Sequence, residues 1–251
     1  MMKLSSAEII GLLAVALIIG LGSGLMIAGQ ETTINIPSVS SATGPISEAH
    51  TKLVAVTRDG DGIVTDLSVK TVPGTGRVLV DIDNLLFFLD TQQSMQTARA
   101  VAEGYLNVSL KDRDLVYAIH VPNTSAVGGE SAGGALTIAT IAALSGRQLR
   151  EDTIMTGTIN PDGTVGQIGG LLAKAKAADE AGFRYFLVPE GQGTYTVVQR
   201  EQNCSRVGKT VVCETRFRPI KISIGNETGI TIIEVATIDD VAKYFFSKGS
   251  V

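Results

Sequence analysis

The run from Ile9 to Gly29 contains 21 consecutive residues without a charged side chain. As an α-helix it would measure roughly 32 Å, close to the roughly 30 Å thickness of a bilayer's hydrocarbon core. A helix buried in a protein core is the alternative, but a helix that is apolar on every face over this length is typical of a membrane span. The sequence therefore predicts a transmembrane anchor over residues 9–29.

The distribution of lysine and arginine predicts how this anchor is oriented. Lys3 precedes the run, and no lysine or arginine follows it until Lys52. Because cytoplasmic flanks carry the excess of positive charge, residues 1–8 are predicted to be cytoplasmic. We therefore expect a single-pass protein of the cell membrane that contacts lipid through residues 9–29 and holds its main domain outside the cytoplasm. A cleaved signal peptide is the alternative.

Cysteine and asparagine usage agrees with an exterior location. Cys204 and Cys213 are the only cysteines and flank a segment typical of a turn and a strand, so a hairpin disulfide is expected. Two buried free thiols are the alternative. Four of the seven asparagines begin an N-x-[ST] sequence, which predicts glycosylation sites. These four are Asn107, Asn123, Asn203 and Asn226.

After the anchor, the sequence divides into a linker and one folded domain. Residues 30–49 are rich in Ser and Thr, contain two prolines and show no periodicity, as expected of a tether. Between residues 50 and 251, strand-like runs such as TKLVAVT and RYFLVP alternate with helical patterns such as LLAKAKAADEAG. This alternation predicts an α/β domain, with a polar insertion at about 191–229 that contains both cysteines.

Composition and short motifs argue against several functions. With a net charge of −4 and a pI near 5.3, the chain lacks the basic surface that nucleic-acid binding requires. Gly208-Lys209-Thr210 resembles the end of an ATP-binding P-loop, but Asn203 occupies the position of the first glycine. Only two histidines are present and no H-E-x-x-H motif occurs, which argues against a catalytic zinc. No cofactor or metal is therefore expected.

The glycine-rich sequence GGESAGG at residues 128–134 contains a candidate nucleophile. Ser131 lies where this loop meets a small-residue helix, and the amides at a helix N-terminus favour developing negative charge. The small residues after it leave the first turn bare, so that a substrate backbone could approach. An N-cap serine on a tightly packed helix is an equally weighted alternative. The G-x-S-x-G pattern also occurs in esterases, but His50 and His120 both precede Ser131, whereas the esterase histidine follows its serine.

A lysine can replace the missing histidine when burial lowers its pKa. Full burial lowers a lysine pKa by up to about 3–5, enough to bring it from about 10.4 to near 7. On a helical wheel, Lys174 falls on the apolar arc beside Leu171 and several alanines, whereas Lys176 falls on the polar arc. A lysine that snorkels from the edge of the apolar arc is the alternative. Lys174 is therefore the candidate base.

Three sequences together resemble the proteolytic domain of the Lon family: GGESAGG, MTGTINPDGTVGQIGGLLAKAKAADEAGF and YFLVP. In that family a Ser-Lys dyad cleaves polypeptides; the serine lies in G-P-S-A-G, and the lysine lies four residues beyond a Gly-Gly pair. The matching residues here are Ser131 and Lys174, 43 residues apart, and Thr156 matches a threonine that holds the lysine. The resemblance implies a Lon-type fold of mixed sheets with flanking helices and an acyl-enzyme on Ser131.

The chain also departs from the family pattern. Glu130 replaces the family's proline, Gly128 replaces an aspartate found in many relatives, and no complete ATP-binding motif occurs. The resemblance therefore implies a membrane-anchored, ATP-independent serine endopeptidase that cleaves unfolded or flexible polypeptides and assembles into a homo-oligomeric ring. The alternative is a catalytically silent Lon-like fold that acts as a membrane-tethered binding or assembly module.

Overall fold

Strands and helices alternate along the domain, as its apolar periodicity predicts. The computed structural model describes residues 45–81, 89–120 and 129–246. Its strands are β1 (Ser47–Val56), β2 (Gly62–Pro73), β3 (Val78–Asp81), β4 (Arg113–His120), β5 (Thr153–Met155), β6 (Thr158–Ile159), β7 (Val165–Gly166), β8 (Tyr185–Pro189), β9 (Thr194–Val207), β10 (Thr210–Ser223) and β11 (Thr231–Val235). Its helices are α1 (Leu89–Leu106), α2 (Gly133–Ser145), α3 (Leu171–Glu180), α4 (Ile224–Thr228) and α5 (Ile238–Phe245).

The larger core lies around α2, which packs against a four-stranded mixed sheet. The strand order is β1-β2-β4-β3, with β3 parallel to β4 and the other pairs antiparallel. The residues of α2 from Gly133 to Ala143 are all buried, because the helix contacts β1, β2 and α1. Burial on every side explains why this helix has no polar face: its threonines bond inward, as Thr140 does to the Tyr117 hydroxyl at 2.7 Å.

A second sheet and α3 form a smaller core. The strands β11, β8 and β5 are parallel and adjacent in that order. The apolar face of α3 packs with residues of β5 and β8, and the helix also contacts β1 and β2. The end of β5, the start of α2 and the first turns of α3 therefore lie close together. The mixed α/β architecture agrees with the fold class that the sequence predicts.

The domain begins before its predicted boundary. β1 starts at Ser47, so the last residues of the predicted linker, 30–49, belong to the first strand. The hydroxyl of Ser47 donates a hydrogen bond of 2.6 Å to the carbonyl of Ala143 in α2. Serine and threonine in this stretch made it resemble a tether, but alternate residues of β1 contribute to the core.

The predicted location in the membrane is wrong for the described part of the chain, where no helix is both long and apolar enough to cross a bilayer. α1, with 18 residues, carries charged side chains, and α2 is apolar but has only 13 residues. Its length of roughly 20 Å falls short of the roughly 30 Å required. The prediction of a single-pass protein with its catalytic domain outside the cytoplasm is corrected accordingly. Residues 1–8, the predicted anchor and lipid contact at 9–29, and residues 30–44 lie outside the described residues.

The predicted polar insertion contains a long two-stranded hairpin. β9 and β10 pair antiparallel over 14 residues each and are joined through Gly208 and Lys209. Cys204 pairs with Cys213 in this ladder, and the two form a disulfide, which confirms the predicted bridge. An isolated hairpin is marginal in water, so the bridge is expected to hold the outer half in register.

Replacing both cysteines by serine is expected to loosen the hairpin without unfolding the domain. The outer half of the hairpin is exposed and contributes nothing to either core. We expect amide exchange between Cys204 and Cys213 to accelerate about tenfold or more, while the thermal midpoint of the domain falls by less than about 2 °C. Hydrogen exchange and calorimetry on the same sample measure both quantities. A large fall in the midpoint would show instead that the hairpin unfolds together with the core.

Candidate active site

The loop before α2 presents Ser131 on a tight turn. Gly129 has a φ of +125°, which favours glycine, and Glu130–Ala132 form a single 3-10 turn that leads into α2. The carbonyl of Ser131 accepts a hydrogen bond of 2.9 Å from the N–H of Gly157, just beyond β5. The carbonyl of Gly157 in turn accepts one of 3.0 Å from Gly134. These two bonds attach the serine turn to the end of β5.

The glycines after Ser131 allow strands of the protein itself to pack closely. A Cβ on Gly133 would lie 2.8 Å from the backbone nitrogen of Ile159, and a Cβ on Gly134 would overlap the side chain of Met155. Both glycines are buried. The prediction that small residues here leave room for a substrate backbone is therefore wrong for Gly133 and Gly134, because β5 and β6 occupy that space.

Ser131 is not an N-cap residue. The N-cap of α2 is Ala132, and no side chain caps either this helix or the 3-10 turn before it. The hydroxyl of Ser131 instead lies 2.8 Å from Nζ of Lys174. The capping interpretation of this serine is therefore wrong.

α3 directs Lys174 into the domain. The helix begins after Gly170, whose φ is +69° and whose Cβ, if present, would lie 2.7 Å from Val56 of β1. From this close approach, one face of α3 enters the smaller core. Lys174 on that face is 3% exposed, whereas Lys176 is on the solvent face. The helical wheel correctly assigned the two lysines to opposite faces.

Three side chains meet between the end of β5, the serine turn and α3. Lys174 Nζ lies 2.8 Å from Ser131 Oγ and donates a hydrogen bond of 3.2 Å to Thr156 Oγ1. The Thr156 hydroxyl donates in turn to the carbonyl of Ser131 at 3.2 Å. Thr156 is fully buried. The threonine therefore connects the lysine to the backbone of the serine.

Burial lowers the pKa of Lys174 to about 8. A low-dielectric environment disfavours the ammonium form, and burial is the only cause of this change. With a pKa near 8, roughly one lysine in ten is neutral at pH 7, and most are neutral above pH 9. A neutral amine 2.8 Å from a hydroxyl is able to accept its proton.

A cleft of about 430 Å³ opens over this group. It is lined by Ala55, Val56, Gly129, Glu130, Ser131, Thr158, Gln167, Ile168, Gly169, Gly170 and Lys174. Neither histidine lines it, and the side chains of His50 and His120 are exposed. Among the described residues, Lys174 is the base within hydrogen-bond distance of the Ser131 hydroxyl, and the esterase interpretation lacks its histidine.

Two parts of the cleft wall could not be identified from the sequence. β1 contributes Ala55 and Val56, and Ile168 is held through both its backbone groups by the side chain of Gln192. Its N–H donates to Gln192 Oε1 at 3.0 Å, and its carbonyl accepts from Nε2 at 2.9 Å. The only sequence signal was the Gly169-Gly170 pair, which marks a close backbone approach without naming its partner.

The other predicted site residues lie away from this cleft. The disulfide of Cys204 and Cys213 lies in the outer half of the hairpin, and the three predicted glycosylation asparagines that the structure describes are exposed. These are Asn107, Asn203 and Asn226; Asn123 lies outside the described residues. Their glycosylation stays a prediction.

Comparison with known proteins gives one family. Residues 51–198 match the family described as Lon protease (S16) C-terminal proteolytic domain. The chain is 28% identical over 187 residues to a Lon protease of Azospirillum brasilense, a match that covers 73% of the chain and 20% of the relative. It is 35% identical over 132 residues to the Lon protease of Phenylobacterium zucineum, covering 51% and 16% of the two proteins.

An archaeal relative gives a similar match. The chain is 28% identical over 195 residues to the archaeal Lon protease of Methanocaldococcus jannaschii, covering 74% of the chain and 26% of the relative. The chain thus spans about a quarter or less of the length of these relatives.

Proposed function

This chain belongs to the Lon protease (S16) family of serine peptidases, and we propose from its site that it is an endopeptidase with Ser131 as nucleophile and Lys174 as general base. The observation that carries the proposal is the 2.8 Å separation of Lys174 Nζ and Ser131 Oγ inside a cleft. Burial of the lysine supports the base role, because it makes the neutral amine accessible near neutral pH.

The proposed reaction proceeds through an acyl-enzyme. Neutral Lys174 takes the proton of the Ser131 hydroxyl while Oγ attacks the carbonyl carbon of the peptide bond. The start of α2 directs the positive end of its dipole at the turn that carries Ser131, which favours the negative charge on the carbonyl oxygen. The lysine ammonium then gives its proton to the departing amine. The neutral amine of Lys174 then deprotonates a water molecule, which hydrolyses the ester, and Ser131 regains its proton from the lysine.

Thr156 is proposed as a positioning residue. Its hydroxyl accepts from the lysine and donates to the carbonyl of Ser131, so both partners of the dyad are held from one side. Because the Ser131 carbonyl also accepts from Gly157, loss of the threonine hydroxyl leaves that carbonyl satisfied. The fold is therefore expected to survive removal of the hydroxyl.

Thr156→Val is expected to lower kcat/KM for peptide cleavage about ten- to a hundredfold. Loss of an acceptor for the ammonium also lowers the lysine pKa further, so the rise of rate with pH moves to lower pH. Thr156→Ser keeps the hydroxyl and is expected to retain most of the rate. Full pH–rate profiles of both variants measure the two effects. If Thr156→Val and Thr156→Ser lowered kcat/KM equally, Thr156 would act through packing rather than through its hydroxyl.

We propose flexible polypeptides as the substrates. The dyad lies in a cleft between β1, the serine turn and the segment before α3, and Ser131 is only partly exposed. An extended segment is expected to bring a peptide bond to Ser131 Oγ in this cleft more readily than a folded surface does. Cleavage without ATP is proposed because the sequence contains no complete ATP-binding motif.

The test uses one labelled protein in two states, native and reduced with blocked thiols. We expect the full chain to degrade the unfolded form at the same rate with and without ATP, and to spare the native form. Ser131→Ala is the inactive control. A requirement for ATP would contradict the nucleotide-independent part of the proposal. Absence of cleavage together with absence of acylation on Ser131 would favour the alternative, a silent fold used as a binding or assembly module.

By resemblance to the Lon family, we also propose that the chain forms a homo-oligomeric ring. The chain mass is 26.2 kDa. Light scattering of the purified protein is expected to give an integral multiple of this mass that persists on dilution to working concentration. A mass equal to that of one chain would contradict the ring.

A further inference from the structure

The hairpin of β9 and β10 lies largely outside the family match, which ends at residue 198. Each strand has 14 residues, so the ribbon measures roughly 45 Å at about 3.3 Å per residue. It is much longer than a typical strand pair and exposes almost all of its side chains. A disulfide-bonded hairpin of this length and exposure is a candidate binding surface.

The register of the ladder assigns each side chain to one of two faces. Residues that pair across the strands share a face, and faces alternate along each strand. One side, here called the basic face, carries three cations and no carboxylate. It consists of Thr194, Thr196, Val198, Arg200, Gln202, Cys204, Arg206, Val211, Cys213, Thr215, Phe217, Pro219, Lys221 and Ser223.

The charges of the opposite face are already paired with one another, and its exposed apolar residues, Val207 and Val212, lie near the tip of the hairpin. Arg216 pairs with Glu214 at 3.0 Å, and Arg218 pairs with Glu201 at 3.7 Å. Near its foot, residues such as Tyr195 are partly buried against the smaller core. The positive charge of the hairpin is therefore concentrated on the basic face of a protein whose net charge is −4.

Large apolar side chains stand exposed between those cations. Val198 is 66% and Phe217 68% exposed. Val198 pairs with Pro219, and Arg200 pairs with Phe217, so these four lie side by side on the basic face. In the described parts of the chain, no element packs on this face. An exposed aromatic residue beside the guanidinium of Arg200, with Lys221 further along the same face, suits a partner that has both acidic and apolar side chains.

The foot of the hairpin adjoins the cleft of the dyad. A second cavity of about 460 Å³ is lined by Gln167 and Gly170, which also line the dyad cleft, and by Thr194 and Tyr195 at the start of β9. Gln192, just before β9, bonds to the cleft residue Ile168 through two hydrogen bonds. The two cavities are therefore adjacent, and the second one reaches the foot of the hairpin.

We propose that the basic face is a docking surface for acidic, flexible polypeptide segments that carry apolar side chains, and that it recruits such chains as substrates. This inference rests on the proposed peptidase function for its purpose, but the docking itself requires no catalysis. Arg200, Arg206 and Lys221 attract the carboxylates, and Phe217 with Val198 contacts the apolar residues. Recruitment there raises the local concentration of the chain beside the cleft.

The test measures binding in the Ser131→Ala protein, so that it is independent of hydrolysis. The probe is a fluorescein-labelled peptide of Glu, Asp, Gly and Ser with a few Leu, compared with a peptide in which Lys replaces the acidic residues. Arg200→Gln with Lys221→Gln is expected to weaken binding of the acidic peptide about fivefold. The matched control, Arg216→Gln with Arg218→Gln, changes the net charge equally on the opposite face and is expected to bind as the parent does. Phe217→Ser provides a charge-neutral second variant, expected to weaken binding comparably.

Turnover by the protein with Ser131 intact separates the two proposals. The basic-face variants are expected to raise KM for an acidic unfolded protein while cleavage of a short neutral peptide stays unchanged. Peptide binding without any cleavage would leave docking intact and contradict the peptidase. If Arg200→Gln with Lys221→Gln and Arg216→Gln with Arg218→Gln weakened binding of the acidic peptide equally, the proposed docking surface would be wrong. A Phe217→Ser variant that changes only the oligomer mass, or only the binding of anionic vesicles, would also contradict it, because the occupant would then be a second copy or a lipid surface.

Discussion

Ser131→Ala and Lys174→Met are each expected to lower kcat/KM for peptide cleavage by about a thousandfold or more. The serine supplies the atom that attacks the carbonyl, and the lysine supplies the only base found within hydrogen-bond distance of it in the described structure. Methionine fills most of the space of the lysine stem without an amine. The measurement is the initial rate of cleavage of a quenched fluorescent peptide across pH 6–10.

The chain provides matched controls for both substitutions. Lys176→Met removes an ammonium two residues away on the solvent face of α3, and Ser145→Ala removes a hydroxyl at the far end of α2. Both are expected to keep the parent rate within about twofold. Because the dyad acts as a unit, Ser131→Ala with Lys174→Met is expected to be no slower than either single variant. A Lys174→Met protein with the parent rate would require a different base and would contradict the mechanism.

Lys174→Met is also expected to stabilise the protein at neutral pH. The pKa of Lys174 falls from 10.5 to about 8 in the folded state, which means that folding a protonated lysine into this site is unfavourable. A difference of that size corresponds to about 3 kcal/mol, an upper bound because the variant also loses the hydrogen bonds to Ser131 and Thr156. We expect the free energy of unfolding at pH 7 to rise by about 1–3 kcal/mol in urea titrations.

The gain in the free energy of unfolding from Lys174→Met is expected to shrink as pH rises above 8. Below pH 8 both folded and unfolded states carry the proton, so the full cost of the buried ammonium is present in the parent. Between pH 8 and 10.5 the unfolded chain binds more protons than the folded one, and the parent gains stability as pH rises. The advantage of Lys174→Met therefore shrinks across this range. Lys176→Met, which changes an exposed lysine, is expected to show neither the gain in stability nor its pH dependence. If Lys174→Met were less stable than the parent at every pH, the buried ammonium would not be destabilising.

Local periodicity predicted one member of the site well. A helix repeats every 3.6 residues, so the alanines around Lys174 were sufficient to place it on the buried face and Lys176 on the other. The same reasoning gave the alternation of strands and helices, because each segment's pattern depends on its own burial. Cys204 and Cys213 were predicted as a pair because they are the only cysteines and flank a segment typical of a turn and a strand. The register of the hairpin places them directly opposite each other.

Contacts between distant segments were not predictable in this way. Val56 lines the cleft beside the serine turn, and the side chain of Gln192 forms two hydrogen bonds with the backbone of Ile168. No local sequence pattern indicates that these segments meet. Gly133 and Gly134 appeared to make room for a substrate, because the sequence shows that a side chain is absent but not what fills the space. Thr156 was identified only through the family resemblance, since a buried threonine after a strand is otherwise unremarkable.

The predicted location in the membrane was wrong for the described part of the chain, and the anchor at residues 9–29 stays a prediction because it lies outside the described residues. The prediction rested on the length and hydropathy of residues 9–29 and on the position of Lys3, without any contact to test it. α2 illustrates the difficulty: its eleven residues from Gly133 to Ala143 are all buried, and it is apolar on all sides because protein, rather than lipid, surrounds it. Hydropathy reports that a segment avoids water but does not identify its surroundings.

The rate at which Ser131 is acylated, followed as a function of pH, tests the central claim most directly. An activated ester would be mixed with the protein, quenched in acid at successive times and the acylated serine quantified by mass spectrometry. The account predicts a single adduct on Ser131 whose rate of formation rises with pH, with an apparent pKa near 8, and which Lys174→Met does not form. A rate that is flat from pH 6 to 10, or an adduct that persists in Lys174→Met, would contradict a neutral lysine as the base.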